Sequence, residues 1–150
     1  MKKLGKLAVM GAVMLAVAGG ATAVQAQVKP EDSVKIRQGF MQAVRLNFGP
    51  IAGAAKEDKV TPALAQNADN LVALANMAML GWTPGSESAS KGTKPEAIAS
   101  ADFKAGFAKL GVEAGKLSAA IKANDKAAIG AQVAAVGGSC KGCHDSFRNQ

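Results

Sequence analysis

The chain has 150 residues, of which 49% are hydrophobic and 19% charged, and a formal net charge of +7. That length suits one domain with a core of its own. No basic run is interleaved with aromatic platforms, so a nucleic-acid partner is not expected, and a single histidine excludes any site that needs two.

Residues 1–26 read as a cleaved signal peptide. Lys2, Lys3 and Lys6 form its charged start. Leu7 to Ala18 is an apolar core of twelve residues, too short to span a bilayer. Gly19 to Ala26 is a small-residue tail, with cleavage expected before Gln27 and after Ala23 as the second option. A retained membrane anchor is the alternative. The mature chain, residues 27–150, is one domain of 124 residues with 15 basic against 11 acidic side chains, a formal +4. No membrane span is expected after cleavage.

The mature segment favours four helices. The first starts at Pro30, with Glu31 and Asp32 opposing the positive end of the dipole. Its seam runs Val34, Arg37, Met41, Val44, Phe48, Ile51, and Gly49-Pro50 is expected to bend or interrupt the last turn. The second follows Thr61 as N-cap and Pro62 at the first position. Leu64, Ala68, Leu71, Ala75 and Ala78 form its seam, and Gly81 ends it. Gly81 to Pro95 reads as a long connecting loop. The third helix starts between Pro95 and Ser100, on a seam of Phe103, Phe107, Leu110, Ala114, Leu117 and Ile121. The fourth is capped by Asn124 or Asp125 and buries Ile129, Val133, Val136, Cys140, Cys143 and Phe147. Short links around one longer loop predict an all-α, antiparallel four-helix bundle.

Within the fourth helix stands Cys140-Lys141-Gly142-Cys143-His144. C-x-x-C-H is the attachment site of a c-type haem: each sulfur bonds one vinyl carbon of the porphyrin, and the adjacent imidazole ligates the iron. A spacing of three puts both cysteines on one helix face, so one flat macrocycle can bridge them. Zinc would want four ligands, and a thioredoxin-like dithiol would want a strand before the helix. Neither is present in the pattern. Covalent haem attachment takes place outside the cytoplasm, which agrees with the export signal. Arg37 is a cation on an apolar seam, costly to bury unless paired. A haem propionate is a suitable anion, and a guanidinium snorkelling at the wet end of the helix is the other reading.

A haem motif at the C-terminal end of four helices resembles the class II c-type cytochromes, specifically the cytochrome c′ family. The start Lys29-Pro30-Glu31-Asp32, the loop Trp82-Thr83-Pro84-Gly85 and the end Cys140 to Arg148 carry the resemblance. It implies a periplasmic, often dimeric protein with one covalently attached haem c and five-coordinate, high-spin iron that binds nitric oxide and carbon monoxide. The same resemblance places Met41 over the distal face of the iron and Trp82 near the distal pocket. Arg148, expected to project from the same helix face as His144, would lie by the proximal side.

Binding of small diatomic gases and electron transfer with an unidentified redox protein, rather than enzymatic turnover, is the function this predicts. The alternative is a low-spin electron carrier like cytochrome c556, with Met41 as sixth ligand.

Overall fold

Lys29 is extended and Pro30 fixes the first helical φ, so α1 begins where the sequence says and runs over Pro30–Lys56. The structure, a computed structural model, describes residues 28–149, and the signal expected at 1–26 lies outside them. Pro50 does not end α1, which continues six residues further. Proline lacks the N–H that would meet the carbonyl of Leu46. Leu46 is 72% exposed, on the solvent side, where water can take that carbonyl.

The second helix is shorter than the sequence suggests. Pro62–Leu64 is a single 3₁₀ turn, α2 proper is Ala65–Met77, and a second 3₁₀ turn covers Ala78–Gly81. Thr61 stands at the cap position, but its hydroxyl accepts no backbone N–H.

The third helix, α3, covers Ala101–Lys122, with Ser100 Oγ accepting from Phe103 N at 3.3 Å. Of the two caps open for the fourth helix, Asp125 is the one used: its carboxylate accepts from Ala128 N at 3.0 Å and starts α4, Lys126–Phe147. Asn124 instead turns the chain through a φ of +53°.

α3 is the inner wall. All six of its seam residues are buried, and Phe103, Phe107, Leu110, Leu117 and Ile121 each contribute roughly 1.5–3 kcal/mol over exposure when fully enclosed. It packs on both α2 and α4, and α1 leans on α2 and α4 to close the four-helix bundle. α1 buries only Ser33, Arg37 and Ile51.

The stretch between α2 and α3 is anchored at both ends. Its start lies against α1 (below). Its far part pairs with the chain's end through an antiparallel bridge between Thr93 and Arg148. Lys94 N donates to Phe147 O at 2.9 Å, Asn149 N to Gly92 O at 3.3 Å, and Lys94 Nζ to Ser146 O at 2.7 Å.

Candidate haem site

Cys140 and Cys143 lie one turn apart near the end of α4, half-buried and packed against the core. Burial pushes both thiols above their ordinary pKa, and the neighbouring Cys140 adds to the rise at Cys143. Opposite them on α3 stands Gly106. A Cβ there would sit 3.7 Å from Cys143 Sγ, so the missing side chain keeps space beside the sulfur. His144, the next residue, is exposed. Lys141 and Asp145 pair along the outer side.

An aromatic cluster draws on α1, the interhelical loop and α3. Met41 is half-buried against the core. Beside it Phe40 meets Trp82 and Phe107 edge-on, with centroids at 6.3 and 6.1 Å. Trp82 contacts Phe103 and Phe107 at 5.4 and 5.1 Å, and Phe103 contacts Phe147 at 5.3 Å. This aromatic chain joins α1, the loop and α3 to the haem-motif helix. Phe40 was not legible as a site residue, because it falls beside the seam positions rather than on them.

Arg37 is only 4% exposed, which sets aside a snorkelling arginine. Its Nε donates to Gly81 O and its Nη2 to the hydroxyl of Ser86. Ser86 Oγ in turn donates to Thr83 O at 2.6 Å, and Ser33 and Thr83 share a hydroxyl hydrogen bond of 2.7 Å. A Cβ at Gly81 would lie 3.2 Å from Arg37 Cγ, so glycine permits the close approach. Burial pulls the Arg37 pKa down, and the Glu87 carboxylate opposes that shift. Arg37 Cζ sits 5.5 Å from the Trp82 ring centroid. Ser33, Thr83 and Ser86 were missed by sequence reasoning. The one available signal was Ser33, four residues before Arg37 and so on the same helix face.

Arg148 is the C-cap of α4: its N–H still reaches His144 O at 3.1 Å, one helical turn back, while its extended ψ of 136° turns the chain after it toward the pairing with Thr93. Met79 packs against the core, whereas Met77 is 49% exposed.

A family model for cytochrome c′ matches residues 32–148. The chain belongs to the cytochrome c′ family. A cytochrome c′ from Rubrivivax gelatinosus is 32% identical over 126 residues, covering 81% of this chain and 98% of the relative. The structure of a variant cytochrome c′ from Alcaligenes xylosoxidans, in its ferrous form with nitric oxide bound, aligns with a TM-score of 0.74 at 31% identity. That alignment covers 82% of this chain and 98% of the other. A protein named cytochrome c-556 from Agrobacterium tumefaciens is 31% identical, covering 77% of this chain and 95% of the relative.

Cytochromes c′ carry covalently attached haem c, and the residues present fit it. Two thiols share one helix face, Gly106 leaves room beside one of them, and an imidazole follows directly. Two buried donors, Arg37 Nη1 and Trp82 Nε1, lack a partner among the described residues. Cys140 and Cys143 would hold the porphyrin covalently, His144 would hold the iron, and Arg37 would meet a propionate. The group would supply a metal that gains and loses one electron and binds small gases.

Proposed function

We propose that this chain is an exported, periplasmic cytochrome c′ that binds nitric oxide and carbon monoxide at a five-coordinate, high-spin iron and exchanges electrons with a redox partner protein. Cys140 and Cys143 form the thioethers, and His144 is the axial ligand. Arg37 holds a propionate, Met41 and Trp82 border the distal side, and Arg148 borders the proximal side from its extended segment. One observation carries the reading. The chain has a single imidazole, and Met41 is half-buried against an apolar core in which its sequence neighbour Phe40 meets Phe107 and Trp82 edge-on. An apolar wall disfavours water and anions and leaves uncharged diatomics as the acceptable ligands. With its one histidine spent on the iron, the chain has no distal imidazole for acid–base work, so the reading is of a binding and redox protein rather than an enzyme.

Met41 bound through sulfur is the second reading. The relative named cytochrome c-556 favours it, as does a half-buried thioether on α1. Visible absorption and magnetic resonance of the ferric holoprotein separate the two. A high-spin ferric spectrum that changes on adding nitric oxide is the expected result. A thioether-to-iron charge-transfer band with low-spin resonances would replace the first reading by the second.

The protein is also expected to pair with a second copy. Ile36, Met77 and Leu80 are large apolar side chains 43%, 49% and 54% exposed. Ile36 Cγ2 lies 3.3 Å from the Cβ position of Gly81, against the segment that carries Leu80. The patch therefore spans α1 and the end of the second helical segment, a face suited to burial between copies.

A further inference from the structure

Among the described residues, three buried side-chain polar atoms lack a hydrogen-bond partner: Arg37 Nη1, Trp82 Nε1 and Gln132 Oε1. Two of the three belong to side chains in contact, with the guanidinium carbon 5.5 Å from the indole centroid. Both side chains are nearly closed off from solvent, at 4% and 5% exposure. Both orphan atoms are donors. Indole N–H accepts nothing, and neither does guanidinium, so they cannot satisfy one another. The missing partner is an acceptor. Arg37 is a buried cation, and Glu87 attracts it without forming an ion pair among the described residues. The partner that fits is therefore an anion, and a planar carboxylate offers two oxygens with about four lone-pair directions. Gln132 Oε1 is itself an acceptor and has nothing to give an anion.

We infer that Trp82 is a carboxylate-binding residue: its indole N–H and Arg37 Nη1 together hold one haem propionate. The inference rests on the haem reading above and assigns Trp82 a polar task in place of a purely apolar one at the distal side. The geometry supports the division of labour. Arg37 spends Nε and Nη2 on Gly81 and Ser86, which fixes the guanidinium plane and leaves Nη1 as the free prong. Arg37 and Trp82 are held together by the same segment, because Gly81 and Ser86 bracket the indole in sequence. The clamp that buries Arg37 therefore also positions the second donor. Ser33 and Thr83 lock that segment to α1, so both donors are pre-organised before any anion arrives.

The chain has one tryptophan, so its indole is read without ambiguity. Ultraviolet resonance Raman of the wild-type holoprotein reports whether that N–H is hydrogen-bonded. Soret-excited Raman reports the propionate bending mode. A hydrogen-bonded indole is expected in wild type. Trp82→Phe keeps an aromatic ring in the cluster, and in it the propionate mode should shift. A free indole N–H in the holoprotein would overturn the inference. A hydrogen-bonded indole with an unmoved propionate mode would assign the contact to water and overturn it equally. If Trp82→Phe fails to mature, Arg37→Lys read through the wild-type indole band keeps the test open: that band should shift if both donors share one anion, and a fixed band would overturn the inference. A low-spin iron would defeat the five-coordinate reading and leave the indole and propionate readouts intact, so the two failures are distinguishable.

Discussion

Met41 owes its interest to its neighbours. It is half-buried against the core, next in sequence to Phe40, whose ring is wedged between Trp82 and Phe107. Shortening it opens the wall without touching the haem motif. Met41→Ala is expected to speed carbon monoxide association by about tenfold, equivalent to about 1.4 kcal/mol off the entry barrier. Flash photolysis of the ferrous protein measures it, and an unchanged rate would remove Met41 as the gate. At this scale the sequence was informative wherever the signal was local. Cys140, Cys143 and His144 announce themselves by adjacency, and Arg37 by being a charge on an apolar seam. The partners of Arg37 were not legible, because Gly81 and Ser86 lie 44 and 49 residues away. No periodicity encodes a hydrogen bond that depends on how a loop folds back.

Helix ends separate real caps from apparent ones. Asp125 and Thr61 look alike as sequence signals, yet the Asp125 carboxylate accepts from Ala128 N at 3.0 Å, whereas the Thr61 hydroxyl caps nothing. Asp125→Ala is therefore expected to cost about 1 kcal/mol of stability, and Thr61→Ala no more than about 0.5 kcal/mol. Denaturant unfolding of the haem-loaded protein would distinguish them, and equal losses would contradict the geometry. The seams of all four helices were readable, because burial imposes the 3.6-residue repeat directly. The continuation of α1 past Pro50 was not. Whether a proline stops a helix depends on where the freed carbonyl points, and here the relevant residue, Leu46, is on the wet side.

For the molecule as a whole, enclosure is uneven. α3 is buried along its whole seam, whereas α1 stays partly open and shares an apolar surface with the segment ending at Gly81. Among the described residues no helix is long and apolar enough to cross a membrane. Leu80→Glu places a charge in the middle of that surface. The wild-type protein is expected to sediment as a dimer and this variant as a monomer with the same visible spectrum; a monomeric wild type would refute the pairing. Four helices and their order could be anticipated from caps and link lengths, but which helix would be innermost could not. That depends on side-chain volume matched across three neighbours, and α3 holds the position with Phe103, Phe107 and Leu110.

The pairing of residues 91–94 with 146–149 also bears on His144, the proposed iron ligand. His144 stands one turn from the end of its helix, where the last turn ordinarily frays. Here the tail is moored: Arg148 N returns to His144 O at 3.1 Å, and the residues around it are stitched to a distant loop. The proposed ligand therefore rides on a fastened turn of backbone, and the few residues beyond the helix serve as its ballast rather than as a loose end.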